Sequence, residues 1–138
     1  MSESLFWVDG IQVKQRPRFG GGRTYTPTAT ANYEEYVGFL AKKAKVPRRH
    51  GPVTLKLLFI LEPPTKWKAE EKREAIRSQR FAHDKHVDLD NLVKILCDAL
   101  NNIAWDDDQQ VVEIIATKRY GERDGVWVRI YESEGREF

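Results

Sequence analysis

The chain is predicted to fold as a small α+β domain, a mixed β-sheet with helices packed on it and a β-hairpin at its C-terminal end. Three observations predict this. The 138 residues are 41% hydrophobic and 11% aromatic, enough for one core and one domain spanning residues 1–138. Val53, Leu55, Leu57, Phe59 and Leu61 alternate at period two, the pattern of a strand with one buried face. Leu89, Leu92, Leu96, Ala99, Leu100 and Ile103 recur at three- and four-residue steps, the pattern of an amphipathic helix.

The elements follow in order. Phe6 to Val13 is expected as a strand, running into "KQRPRFGGGRTYTP", where glycines and prolines argue for loop. Thr28 or Thr30 caps a helix through about Lys45, its stripe made by Tyr33, Tyr36, Val37, Leu40, Ala41 and Ala44. Val53 to Leu61 is the strand already named. Pro63 and Pro64 break the chain before "TKWKAEEKREAIRSQR", which is too poor in apolar residues for a core helix and reads as an exposed one. The next helix spans Asn91 to Ile103. Val111 to Thr117 and Val126 to Tyr131 are strands, and the turn-forming "YGERDG" between them suggests that they pair as a hairpin.

Charge is unevenly distributed. Residues 1–87 hold 17 Lys/Arg against 9 Asp/Glu, a net of +8, whereas residues 88–138 hold 6 against 12, a net of −6. A basic part joined to an acidic part points to a polyanion-binding surface beside a site for divalent cations. Cys97 is the lone cysteine, which excludes an intramolecular disulfide and any zinc site built on paired cysteines. The start "MSESLFWVDG" has no secretory pattern, and "LLFIL" is far shorter than the ~20 apolar residues of a membrane span. A soluble intracellular (cytoplasmic) protein without membrane association is expected.

The acids lie at both ends of the predicted helix, Asp88 and Asp90 before it and Asp106, Asp107 and Asp108 after it. On one continuous helix Asp88 and Asp90 would point about 200° apart. With the helix starting at Asp90 and Asp88 extended before it, either both carboxylates face the space ahead of the N-terminus, or Asp90 is simply an N-cap and Asp88 a solvated loop residue. Asp90, Lys94 and Asp98 fall on one face, either as an i,i+4 ladder or with Lys94 held as a cation beside carboxylates. A helix from Asp90 to Asn101 is about 16 to 18 Å long, so its ends cannot share an ion directly. Either the link through Trp105 returns along the helix, or one chain supplies acids to another chain's site.

Several chemistries fail on inspection. An EF-hand needs Asp or Asn where Leu92 stands and Gly where Val93 stands. No Walker lysine follows a glycine loop, so no nucleotide cofactor is expected, and there is no nucleophile elbow. His83 and His86, three apart, are more simply exposed or phosphate-contacting residues than zinc ligands.

Taken together, "DLDNLVKILCDAL", a short Trp-containing link and "DDQQVV", with a basic N-terminal loop and the charged "KWKAEEKREA" upstream, resemble the RusA-type Holliday junction resolvases. The resemblance spans roughly residues 11 to 131, and residues 88 to 112 carry its specific part. It implies a RusA-like fold and a homodimer. It also implies a Mg²⁺-dependent endodeoxyribonuclease, for which Mn²⁺ is a possible substitute, that resolves four-way DNA junctions by paired nicking during recombination and repair. By position, Asp88 and Asp90 match the two acids of the first motif, Lys94 its lysine, and Asp108 the acid before the glutamine-containing motif, with Asp107 its neighbour. Asp88, Asp90, Asp107 and Asp108 are then the candidate metal ligands, and Asp88, Asp90, Lys94 and Asp108 the candidate catalytic set. Asp106 is an extra acid where the family's pattern is looser. The family's basic residues just before the motif are represented by Lys85 with His83 and His86.

Lys14, Arg16, Arg18, Arg23, Lys66, Lys68, Lys72, Arg73 and Lys85 are the candidate phosphate contacts. Two other readings compete with the junction endonuclease. One is a branched-DNA-binding protein that does not cut, and the other is a nuclease for different branched or single-stranded DNA.

Overall fold

The computed structural model describes residues 3–14, 18–21, 23–25 and 28–135. Its elements are β1 (Ser4–Asp9), β2 (Arg18–Gly20), β3 (Arg23–Tyr25), α1 (Thr28–Lys43), β4 (Val53–Leu61), α2 (Ala69–Arg77), α3 (Leu89–Leu100), β5 (Val111–Tyr120) and β6 (Gly125–Glu132). A single 3-10 turn, Asp108–Gln110, precedes β5. β1, β6, β4 and β5 form one mixed sheet in that order, with β4 and β5 parallel and the other pairs antiparallel. β4 returns to β5 through a crossover that contains α2 and α3, as a parallel pair requires.

The predicted α+β class holds, with the strand at Val53–Leu61 in the middle of the sheet. The C-terminal hairpin does not hold: β5 and β6 are consecutive in sequence, yet β4 lies between them. Alternation and a turn specify two strands but not their partners. The inward residues of β4 are buried throughout, so this strand takes the position with a neighbour on each side. The glycine-rich stretch also differs from the expected loop, because β2 and β3 pair across Gly21, whose φ of 60° suits a tight reversal. β1 ends at Asp9, four residues earlier than expected. There Gly10 donates its N–H to the Asp124 carbonyl at 2.8 Å and accepts the Tyr33 hydroxyl at 2.9 Å, turning the chain off the sheet.

Both long helices cover one face of the sheet. Phe6, Val8, Val53, Leu55, Leu57, Phe59, Val126, Val128 and Ile130 meet Val37 and Ala41 of α1 and Leu92, Ile95, Leu96, Ala99 and Leu100 of α3. At ~1.5–3 kcal/mol for each fully buried large side chain, this interface is the main support for the position of α3. A satellite cluster of Leu61, Ala75, Ala82 and Tyr120 fastens α2 to the sheet end. Trp67 stands edge-on to Tyr120 at 5.3 Å, and the Arg80 guanidinium lies 4.8 Å from the Trp67 ring. No helix among the described residues is long and apolar enough to cross a membrane.

Candidate active site

The first acids lie where α3 begins. Asp88 is extended (φ −77°, ψ 123°), its carbonyl accepts the first helical bond from Leu92 at 3.2 Å, and its carboxylate makes no capping bond. Asp90 sits exposed in the first turn. Both carboxylates therefore stand at the positive end of the helix dipole, where negative charge is favoured. The approach to Asp88 is anchored. Lys118 Nζ donates to the Val87 carbonyl at 2.7 Å, and Lys85 Nζ donates to the Glu62 carbonyl at 2.7 Å.

At the other end, α3 stops at Leu100, Asn102 adopts a left-handed φ of 67°, and Trp105 is wholly buried. The chain there runs beside Arg49, whose N–H donates to the Ala104 carbonyl at 2.9 Å. Three consecutive aspartates then take three different roles. Asp106 is clamped by Arg48 Nε at 2.6 Å and His50 Nδ1 at 2.8 Å, and the His50 bond first, then Arg48, holds its carboxyl below the ordinary range. Asp107 caps the 3-10 turn, accepting from the Gln109 N–H at 3.2 Å in a capping box with Gln110. Asp108 remains with its carboxylate toward solvent. Its pKa is raised, foremost by the carboxyl contact with Asp107 and then by desolvation and the charges of Asp107 and Asp98, while Lys94 opposes the shift.

Gln110 fixes this loop in place. Its Oε1 accepts from the N–H groups of Asp106 and Asp107 at 2.7 and 3.0 Å, and its Nε2 donates to the carbonyls of Arg49 and Gly51 at 3.0 and 2.9 Å. The amide thus uses all four of its hydrogen-bonding positions.

The link leaves Asp108 within electrostatic reach of Asp98 and Lys94. Cys97 lies between these groups; burial pushes its thiol up to about 11, with Asp98 and Asp108 adding to the shift. Asp98 is taken by Lys14, 3.0 Å away, which also holds Glu34 at 2.8 Å. Desolvation works against the Lys14 ammonium, but the two carboxylates outweigh it and raise its pKa. The i,i+4 ladder is not what forms: Lys94 makes no salt bridge among the described residues, and Asp98 pairs with a distant lysine.

The structure thus gathers Lys94, Asp98, Asp107 and Asp108 on one side of α3, with Asp88 and Asp90 at its N-terminal end. Among the described residues no group of three or more His, Cys, Asp or Glu side chains gathers as a metal cage within one chain. The donor chemistry nevertheless suits a hard cation. Asp88, Asp90 and Asp108 offer oxygen only, lie exposed, and form no salt bridge among the described residues, unlike Asp9, Asp84, Asp98 and Asp106.

The candidate phosphate contacts divide into several groups. Lys14 and Lys85 are engaged as struts. Lys66 is exposed in the turn before α2, Lys68 occupies the N-cap of α2, and Lys72 and Arg73 ride on that helix. Lys68, Arg73, Arg77 and Arg80 share an open depression with Glu70, Glu71 and Glu74. Arg18 lies on β2 and Arg23 on β3, their side chains outside the described set, and Arg16 lies outside the described residues altogether. His83 and His86 are exposed. Sequence reasoning missed Arg48, His50 and Gln110, because partners 56 to 61 residues apart leave no periodic trace.

Similarity to known proteins agrees with this arrangement. The family model described as "Endodeoxyribonuclease RusA" matches residues 10–131, taking in the basic loop, α3 and the acidic turn. The uncharacterized protein YqaN of Bacillus subtilis (strain 168) is 30% identical over 134 residues, covering 92% of this chain and 94% of that protein. With the match running from the end of β1 through both acid-bearing segments and into β6, the chain belongs to the RusA endodeoxyribonuclease family.

Proposed function

We propose that this protein is a Mg²⁺-dependent, structure-selective endonuclease that resolves four-way DNA junctions by paired nicking in recombination and repair. The observation that carries this reading is the sorting of the aspartates: among the described residues four are neutralised by basic side chains, while Asp88, Asp90 and Asp108 form no salt bridge and face solvent at the two ends of α3. These three, with Asp107 behind Asp108, would hold the cation, and Mn²⁺ would substitute. When bound, a hard divalent cation neutralises charge at the scissile phosphate and acidifies a water. One of these carboxylates would assist the attacking water by accepting its proton on a carboxylate oxygen. Lys94, with no salt bridge among the described residues, stabilises the negative charge that grows on the phosphate oxygens.

Paired nicking calls for two sites, and a homodimer supplies them. β5 is an edge strand of the sheet with Val112 and Ile114 exposed beside α3, so a second copy laid antiparallel along this edge brings Asp108 of one chain toward the α3 N-terminus of the other. That placement supports a site closed in trans. The protein then works inside the cell on branched DNA, without a nucleotide cofactor.

The test offers synthetic four-way junctions and plain duplex of the same sequence, with Mg²⁺ or with EDTA. Symmetric nicking of the junction alone, and only with Mg²⁺, is expected. A junction left intact across a range of salt would remove the endonuclease reading in favour of a non-cleaving binder. Equal cutting of flaps or single strands would shift the substrate class. Asp88→Asn should retain junction binding and lose cleavage, and normal cutting by that variant would mean that the metal site lies elsewhere.

A further inference from the structure

α1 and α3 cover one face of the sheet; the other face carries no helix among the described residues. The strand register arranges its outward side chains in rows. One row runs Leu5, Arg129, Lys56, Ile115 across β1, β6, β4 and β5, and the next runs Trp7, Trp127, Leu58, Thr117. Leu5 is 50% exposed and Trp127 44%, so this is an open apolar surface with two cations set into it. Leu5, Lys56, Leu58, Trp127 and Arg129 line a shallow cavity of ≈ 390 Å³.

Two features of this face argue for a ligand. Arg129 and Lys56 stand directly opposite each other on neighbouring strands, where like charges repel. Glu3 reaches Arg129 only at 3.6 Å, and Lys56 has no salt bridge among the described residues. An anion bound between them removes that repulsion. The second feature is a braced aromatic platform. The Trp7 ring lies against Gly125, where an added Cβ would come within 2.1 Å of it, and Trp127 tilts against Trp7 at 56° with ring centroids 5.2 Å apart. Trp127 is thereby held beside the cation pair with a face toward solvent. Toward the end of β5, on the same face, Arg119 lies 4.3 Å from the ring of Phe81, which is 57% exposed and belongs to the segment leading to Asp88.

We propose that this open face binds single-stranded DNA, with a backbone phosphate between Lys56 and Arg129 and a base stacked on Trp127. Stacking requires an unpaired base, since paired bases present no free π-face, and aromatic–basic surfaces of this kind hold single strands with little sequence preference. The proposal rests on the reading of the protein as a DNA endonuclease and names a place for a short stretch of strand whose bases unpair at the branch point of its substrate. A second copy seated about a two-fold axis through the cavity would bring four cations together, which disfavours a dimer here.

The test is fluorescence anisotropy of a short labelled oligothymidine with the full chain in EDTA, so that cleavage plays no part. Lys56→Glu/Arg129→Glu is expected to weaken binding at least tenfold and to lower the salt slope by about 0.7, the value for one lost phosphate contact on a single strand. Trp127→Ala should weaken binding several-fold and Trp127→Phe should largely restore it. Because a double charge reversal can perturb folding, Lys56→Gln alone is measured beside it with circular dichroism on all variants. Oligothymidine affinity within twofold of wild type in folded Lys56→Gln and Trp127→Ala overturns the proposal. So does a change of oligomeric state in those variants, which would give the face to a second copy. A wild-type protein that binds neither junction nor oligothymidine would instead remove the DNA-endonuclease reading itself.

Discussion

Gln110 is tied to the carbonyl of Arg49 by a 3.0 Å hydrogen bond from its Nε2, and through that bond the acidic turn is fixed to the segment that enters β4. The same amide holds the N–H groups of Asp106 and Asp107 and the Gly51 carbonyl. Gln110→Ala removes all four bonds at once, some at positions that water can refill. A stability loss of about 1 to 2 kcal/mol is expected by urea denaturation. Single-turnover junction cleavage should fall by more than that loss of folded protein accounts for, because Asp108 is no longer held in place. A variant that is destabilised but cuts at the wild-type single-turnover rate would show that Gln110 supports the fold and not the site.

Asp108 sits against Asp107 with Asp98 near, an arrangement that disfavours its charged form. Removing a charge from a crowded group relieves repulsion, so Asp108→Asn is expected to leave Tm unchanged or raise it slightly while abolishing cleavage. Asp106→Asn should behave in the opposite way, lowering Tm because Arg48 and His50 lose their partner, with a smaller effect on cleavage. Thermal melts and cleavage assays on the pair separate the two roles.

Lys14 separates a strut from a phosphate contact. It lies between Glu34 and Asp98, and the three side chains are mostly buried. Lys14→Ala leaves two carboxylates facing each other and should cost about 1 to 3 kcal/mol of stability. If Lys14 served DNA alone, the substitution would leave the denaturation midpoint unchanged and reduce the salt dependence of binding by about one ion on duplex DNA.

The Asp84–Tyr120 hydrogen bond joins the α2–α3 connection to the end of β5 and sets a pH dependence. The Tyr120 bond, the main influence, holds the Asp84 carboxyl below its ordinary range. A depressed carboxyl pKa means stability that is present above the ordinary carboxylate range and is lost as pH falls through the folded-state value. Burial, then the Asp84 bond, pushes the Tyr120 hydroxyl up to about 12, so its contribution is present below the unfolded pKa near 10 and is lost as pH rises through 12. Tyr120→Phe should therefore cost about 1 kcal/mol at neutral pH and show less stability loss than wild type below pH 4. Parallel melting curves of the two proteins below pH 4 would refute this assignment.

Much of the site was legible before any fold. The spacing of Asp88, Asp90 and Lys94 at the start of an amphipathic helix, and of Asp107 and Asp108 after it, depends only on local periodicity, and α3 forms as Leu89–Leu100 within two or three residues of the expected ends. The central strand was equally plain, since each inward residue of Val53–Leu61 is apolar. The three consecutive aspartates could not be told apart in this way. Their distinct fates depend on Arg48, His50 and Gln110, whose partners come from segments more than 50 residues away or across a one-turn cap.

Local pattern also left strand order undetermined, because alternation says which side chains face inward and nothing about the neighbouring strand. The sequence therefore specified a helix flanked by acids, a buried strand and two further strands at the C-terminal end. Tertiary packing placed β4 between β5 and β6, set Asp108 against Asp107, diverted Lys14 to Asp98 and left one face of the sheet open. The physical reason is range: helix and strand periods are set by neighbours within four residues, whereas ion pairs, sheet order and burial are decided by which distant segments compete for the same core.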